Sequence, residues 1–500
     1  MNFTTPIFIF IFMPITLLIF LILDVMEKRK IWNSLLVRFR IKDLSLISLS
    51  LIFYMWACFD DVIKFIIYIV GIWLAGQWIE RKRDLYVQIF QQNRDDKDSV
   101  YKKISISAFI LLFAVLLILF CLVHFKYMPL LAEIWNELFR GNWIKESIMA
   151  PIGISFITFS SISYLADIYR GDASGGGIID CALYLTFFPK VISGPIVLWK
   201  DFRTTLENQM ITLEGFVSGL NRIAVGFAKK LILADQFGAC ISKAVASETD
   251  AVTGWGMAIL YMLQIYYDFS GYSDIAIGLA RLLGFEFREN FNFPYRSRSI
   301  SEFWRRWHIS LGTWFREYIY FPLGGSRRGE RRALWNVAVV FALTGIWHGA
   351  GWNYLLWGGM NGAMVIIEKV VKDKRFYQKL PDFLKWLVTI GITFLGWQFF
   401  RFQTFAEVWE WLKLMFGMLQ NETIYYSWEY FFDMQIVVLA VIGGIGSILP
   451  GVRGIQECHR NFSGKGIGFV IQESVILFLF VIAILFMVNS TYSPFIYFQY

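Results

Sequence analysis

Five hundred residues, 57% hydrophobic and 18% aromatic with a mean hydropathy of +0.52, argue against a soluble enzyme and for a polytopic membrane protein. The formal net charge of +8 does not point to nucleic acid, because the basic residues gather in short runs between apolar segments rather than along one face. Five scattered cysteines with no Cys-x-x-Cys pair argue against a disulfide framework or a zinc centre, and no metal site is expected.

The first apolar run, Ile7 to Leu23, has no basic stretch before it and no small-residue cleavage site after it, so it reads as a retained span rather than a signal peptide. Apolar stretches of about twenty residues, the length that crosses or enters a bilayer, lie near 4–23, 43–59, 62–79, 104–123, 149–168, 178–198 and 215–233. Further stretches lie near 252–283, 333–347, 351–369, 383–400, 434–449 and 467–488. About ten or eleven of these are expected to cross fully, the rest being short, glycine-broken or polar enough to be re-entrant. Lysine and arginine at 28–30, 38–42, 81–97, 281–332, 369–375 and 453–460 place those loops inside and the N-terminus outside. No repeat, low-complexity tract or Pro/Ser-rich linker interrupts the chain, and residues 1–500 read as one membrane domain, its polar connections being too short for a separate core.

Within the stretch 252–283, Tyr267-Asp268-Phe269-Ser270-Gly271-Tyr272-Ser273-Asp274 places two carboxylates and two serines in apolar sequence. Such carboxylates either brace helix ends or serve function. Beyond Asn290-Phe291-Asn292-Phe293-Pro294 the chain turns basic and aromatic, and Phe303, Trp307, Leu311, Trp314 and Phe315 recur at three and four, as on one amphipathic helix. Arg305, Arg306, Arg327 and Arg328 then either face lipid headgroups or attract a phosphorylated donor from the cytoplasm. Leu323-Gly324-Gly325-Ser326-Arg327-Arg328-Gly329 is a basic glycine turn without phosphate-loop spacing.

Only four histidines occur. His124 and His459 lack convergent polar neighbours and read as structural. His308 lies in Trp304-Arg305-Arg306-Trp307-His308-Ile309-Ser310-Leu311, and His348 in Leu343-Thr344-Gly345-Ile346-Trp347-His348-Gly349-Ala350-Gly351. Gly345 and Gly349 form a small-xxx-small pair, and Thr344, one turn before His348, is placed to hydrogen-bond its ring. Asn353 and a collar of Trp347, Trp352 and Trp357 complete a setting suited to chemistry.

These segments carry a resemblance that runs through most of the chain. Together with Pro151-Ile152-Gly153-Ile154-Ser155-Phe156, Ser163-Tyr164-Leu165-Ala166-Asp167-Ile168-Tyr169-Arg170-Gly171 and Ser193-Gly194-Pro195-Ile196, the two histidine motifs resemble the membrane-bound O-acyltransferase family, in particular its bacterial alginate O-acetylation branch. The resemblance implies an all-α polytopic membrane protein with a ring of about eleven transmembrane helices, plus re-entrant and interfacial helices, around a central tunnel. It matches His348 to the catalytic histidine and His308 to a second histidine on the donor side. Gly349-Ala350-Gly351-Trp352-Asn353 departs from the branch by an extra glycine, and the C-terminal end shows no soluble extension, which bears on the acceptor more than on the reaction.

The expected reaction moves an acyl group, in the first instance acetyl, from acetyl-CoA or another cytoplasmic acyl thioester to hydroxyls of an extracytoplasmic polysaccharide. No tightly bound cofactor is implied. A hydroxyl nucleophile needs a base, and imidazole titrates near neutrality, which suits His348, with His308 orienting the thioester. Trp304, Arg305, Arg306, Asp268, Ser270, Asp274, Trp347 and Asn353 are the expected substrate-binding residues. No Gly-x-Ser-x-Gly elbow occurs, which disfavours a serine acyl-enzyme. The branch further implies an extracytoplasmic acyltransferase partner and residence in the bacterial cytoplasmic (inner) membrane. D-alanyl transfer to teichoic acid is the near alternative. A polysaccharide or ion transporter is the distant one, disfavoured by the absence of inverted repeats. Both histidines are expected on one internal passage, neither facing lipid.

Overall fold

A backbone in hydrocarbon has no water to bond, so apolar sequence must fold into helices that satisfy their own N–H and C=O groups. The structure, a computed structural model, describes residues 2–29, 40–92, 97–142, 150–245, 249–418, 426–452, 455–457 and 466–489; among them every regular element is helical. Lys30, Arg38, Arg94, Arg453 and Arg460, used above for orientation, lie outside the described residues, as do Cys458 and His459. Among the described residues, six helices are long and apolar enough to cross a membrane by length and composition: Phe8–Lys28, Val62–Leu85, Ile106–Tyr127, Asp382–Arg401, Met434–Gly451 and Gly466–Asn489. The last is apolar and almost wholly exposed along its length, a surface that water does not tolerate and lipid does.

The chain packs as two compact units. The first comprises Met1–Gly219 and Leu279–Phe287. Its helices are α1 (Phe8–Lys28), α2 (Ile41–Ala57), α3 (Val62–Gln92), α4 (Lys97–Leu122), α5 (Ile154–Arg170) and α6 (Ile178–Thr186). α5 is buried along most of its length. The stretch 178–198 is not one continuous helix: α6 ends at Phe187 (φ −48°, ψ 107°) and a short turn, Phe188–Val191, follows. Pro189 has no N–H to continue the helical ladder, which accounts for the interruption.

The second unit comprises Leu220–Gly278 and Arg288–Tyr500. It holds most of α7 (Ala251–Leu282), then α8 (Ile300–Arg306), α9 (Ile309–Phe315), α10 (Glu330–His348), α11 (Trp352–Val371), α12 (Asp382–Arg401), α13 (Phe405–Met415), α14 (Met434–Ile448) and α15 (Gly466–Asn489). α10 and α11 pack against each other at glycine. A Cβ on Gly345 would stand 2.5 Å from the Tyr354 carbonyl oxygen, and one on Gly358 would stand 2.5 Å from that of Phe341. Gly345 therefore meets Gly358 of the facing helix, while Gly349 packs beneath the Tyr354 ring.

The amphipathic pattern of 300–318 is not one helix. Ser299 caps α8 by accepting the Glu302 N–H at 3.0 Å, α8 stops at Arg306, and His308 adopts a left-handed conformation (φ 45°, ψ 54°) before α9 begins. Three-and-four spacing survives such a break because each half keeps its apolar side toward the core: Phe303, Trp307, Leu311, Trp314 and Phe315 are all buried.

Gly345→Ala is expected to force α10 from α11 and to lower thermal stability by about 1–3 kcal/mol, the usual cost of overpacking. Gly359→Ala, on the same α11 but with nothing within 4 Å of its Cβ, is expected to leave stability unchanged or raise it by up to about 1 kcal/mol. Thermal melting of the two purified variants reads the contrast.

Candidate active site

An amide carbonyl oxygen only accepts, and a backbone N–H only donates, so hydrogen-bond geometry fixes proton positions around His308. Asn290 Oδ1 accepts from the Ser310 backbone N–H at 3.2 Å and from the Ser310 hydroxyl at 2.8 Å. The Asn290 amide nitrogen donates to Ser273 Oγ at 3.0 Å on α7. His308 Nδ1 lies 3.1 Å from the same Oδ1. Nδ1 therefore carries the proton and Nε2 carries the basic lone pair. The backbone supports the arrangement: Ile309 N donates to Asn290 O at 2.9 Å, and Asn292 N donates to Arg306 O at 2.9 Å. A left-handed histidine is tolerated there because surrounding bonds determine the turn.

His308 is 2% exposed, with Phe269 of α7 edge-on at 4.7 Å between ring centroids. Burial pushes its imidazolium down to about 3, so the ring is neutral at ordinary pH. It lines a cavity of about 550 Å³ together with Trp304, Arg305, Trp307, Arg288, Arg316 and Thr344. The three arginines are exposed whereas His308 and Thr344 are buried, so positive charge and an apolar interior share one space.

His348 ends α10 and is 4% exposed. Three aromatic rings enclose it, with centroids at 4.6 Å for Trp347, 5.0 Å for Trp357 and 5.0 Å for Phe400. The Trp347 ring also lies 6.2 Å from that of His308, so one indole is near both imidazoles. His348 itself is not among the residues lining the cavity; Thr344, one turn before it, is. The Thr344 hydroxyl does not bond the His348 ring but donates to the Val340 carbonyl at 2.7 Å, the partner a helix offers it locally. Trp352 is 61% exposed and leaves the collar, its place being taken by Phe400, which no spacing in the sequence connects to His348.

The other expected residues divide. Trp304 and Arg305 line the cavity, and the Trp304 indole N–H donates to Asn361 Oδ1 at 3.3 Å. Arg306 pairs with Glu302 at 2.9 Å, and Glu302, held by that pair and the Arg298 N–H, titrates below the usual carboxylate range. Asp268 pairs with Lys230 at 2.7 Å; Asp274 pairs with Arg222 at 2.8 Å and Lys229 at 2.6 Å. Their basic partners lie outside the stretch that drew attention to the carboxylates. Ser270 is buried in α7. The Asn353 amide donates to the carbonyls of Phe399, at 3.2 Å, and Phe402, at 2.5 Å, pinning the end of α12. His124 rests against Phe120 and Phe125. Sequence reasoning missed Asn290, Arg288, Arg316 and Phe400; for Asn290 the available signal was an isolated amide just before the basic segment.

Two consequences are measurable. The unfolded imidazole binds a proton near 6.5 and the folded one only near 3, so stability is lost as pH falls through that window. His308→Gln is expected to flatten the acid side of a melting-temperature profile between pH 7 and pH 4. Asn290→Ala leaves buried donors without their acceptor and is expected to cost about 1–3 kcal/mol per lost partner, read as a lower melting temperature at pH 7.

Comparisons with known proteins bear on the family. The profile of the family described as MBOAT, membrane-bound O-acyltransferase, matches residues 167–400, which include both histidine motifs. A protein of Pseudomonas putida named as an alginate O-acetylase is 32% identical, with each chain covered over 100% of its length. A peptidoglycan O-acetyltransferase of Helicobacter pylori is 29% identical over 83% of this chain and 80% of its own. A teichoic acid D-alanyltransferase of Bacillus subtilis is 28% identical over 51% of this chain and 67% of its own. These relatives are named as acyl-transferring enzymes, and six helices among the described residues are fit to cross a bilayer; the chain is a multi-pass membrane acyltransferase and belongs to the membrane-bound O-acyltransferase family.

Proposed function

We propose that this protein transfers an acetyl group from a cytoplasmic thioester such as acetyl-CoA toward hydroxyls of an extracytoplasmic polysaccharide. The observation that carries the reading is the 550 Å³ cavity lined by exposed Arg288, Arg305 and Arg316 and by buried His308, with the Trp347 ring near both His308 and His348. Arginines suit the phosphates of the donor and the apolar interior suits its pantetheine arm. His308, neutral with its Nδ1–H held by Asn290, positions the thioester arm, and the thiolate departs toward the positive charge of Arg288, Arg305 and Arg316, where it takes its proton from solvent. His348 takes the proton of the attacking hydroxyl as the new ester bond forms and the carbon–sulfur bond breaks. The aromatic rings around His348 exclude water, which disfavours hydrolysis.

The longer and more similar alignments with O-acetylating relatives favour acetyl over D-alanyl transfer. Relatives named for alginate, peptidoglycan and teichoic acid support residence in a bacterial cytoplasmic (inner) membrane. The polymer receives the group through an extracytoplasmic acyltransferase partner.

In membranes supplied with labelled acetyl-CoA, His348→Ala is expected to lower acyl transfer by about 10²–10⁴-fold at unchanged protein level. His308→Ala is expected to impair turnover of the thioester itself. Normal transfer by His348→Ala would remove it from the catalytic step, and a preference for an aminoacyl carrier thioester over acetyl-CoA would replace acetyl with D-alanyl.

A further inference from the structure

The first unit contains a cavity that acyl transfer does not use. It measures about 230 Å³ and lies among the end of α2, the starts of α3 and α5, and the last turns of the Ile106–Tyr127 span. Lysine and arginine place the loops at 28–42 and 81–97 inside, so the turn at 58–61 between them faces outside, and the cavity with it. Exposed Trp56 and Phe59, at the same turn, are rings of the kind that settle at a membrane–water interface. The lining runs from Asp61 to Tyr68 and from Ile118 to Phe125, so the space reaches about 10 Å inward, well into the ~15 Å of hydrocarbon in one leaflet.

The inner wall is hydrocarbon, from Phe65, Ile118, Ile154 and Ile157. Tyr68 adds a ring but no free hydroxyl, because its O–H donates to Ser161 Oγ at 2.8 Å and Ser161 donates in turn to the Ile157 carbonyl at 2.9 Å. A space walled in this way suits apolar matter rather than water. The charged residues of the lining are Asp61 and Lys64, paired at 2.9 Å. Lys64 is exposed and Asp61 partly so, which sets one positive and one negative group together at the mouth of an apolar space.

We propose that this cavity holds one acyl chain of an outer-leaflet phospholipid whose headgroup carries both a phosphate and a primary ammonium, as phosphatidylethanolamine does. The chain lies against Phe65, Ile118 and Ile157, the Lys64 ammonium donates to the phosphate, and the headgroup ammonium donates to the Asp61 carboxylate. The chain comes from the bilayer rather than from water, so the wall selects it by close packing and the charged pair selects the headgroup. A phosphate headgroup without an ammonium leaves Asp61, with exposed Asp60 beside it, facing like charge. The proposal concerns the first unit and does not depend on which group the enzyme transfers.

The test uses full-length protein in phosphatidylglycerol nanodiscs doped with a trace of phosphatidylethanolamine or phosphatidylglycerol bearing a diazirine midway along one chain. After irradiation, mass spectrometry maps the adducts, and each probe is normalised to its labelling of lipid-facing Leu477 and Phe478 on α15. The phosphatidylethanolamine probe is expected to mark 61–68, 118–125 and 151–158 at least fivefold more than the phosphatidylglycerol probe. Lys64→Glu, an exposed change at the mouth, is expected to bring the two probes to parity, and Cys121→Trp, which fills the cavity, to lower labelling of all three segments while α15 is marked as before. Equal labelling of those segments by the two probes in wild type overturns the proposal and needs no variant to fold. Labelling there no stronger than on α15 overturns it too, as does an unchanged preference in Lys64→Glu. Suppression of the labelling by excess acetyl-CoA also overturns it, since the cavity then serves the donor.

Discussion

A primary amide offers one accepting oxygen and two donor hydrogens, and Asn290 uses both sides to tie three segments together. Its nitrogen holds Ser273 of α7 at 3.0 Å, and its oxygen holds the first turn of α9 through Ser310 and faces His308 Nδ1. In an apolar interior an unmet hydrogen bond costs more than a met one contributes, so such a junction tolerates few alternatives. The consequences run outward from it: α8 ends at Arg306, His308 turns left-handed, its Nε2 becomes the basic nitrogen, and the ring enters the cavity wall.

The surroundings of the two histidines suit different tasks. His308 shares its cavity with three arginines that are exposed, a gradient from charge to apolar wall that fits a ligand with a phosphorylated end and a thin reactive arm. His348 packs among the rings of Trp347, Trp357 and Phe400. In so apolar a place any charge developing nearby is felt strongly. Trp347 packs near both, with ring centroids 6.2 Å from His308 and 4.6 Å from His348.

Much of the class and family was legible in the residues, because helix in a membrane is dictated by composition and because the motifs around His308 and His348 are dense. What the sequence did not reveal is long-range or one-sided. The pattern from Phe303 to Phe315 has helical spacing, yet spacing cannot see that an amide 18 residues before His308 makes a better partner for the chain than a continued helical ladder. Likewise Asp268 and Asp274 looked isolated because Lys230, Arg222 and Lys229 sit some forty or more residues upstream. Thr344 stood at the right spacing for the His348 ring, but the Val340 carbonyl is closer in kind and in space to its hydroxyl. The stretch 178–198 kept an apolar count that ignored the missing N–H of Pro189.

The account turns on the donor occupying the cavity beside His308, and photolabelling addresses that directly. An acetyl-CoA analogue carrying a photoreactive group on its pantetheine arm, irradiated with the membrane-embedded protein and mapped by mass spectrometry, is predicted to mark the segments 304–320 and 337–344, with labelling suppressed by excess acetyl-CoA. Competed labelling concentrated instead around Tyr54, Tyr68 and Ile157, which line a separate cavity of about 230 Å³ in the first unit, would contradict the assignment.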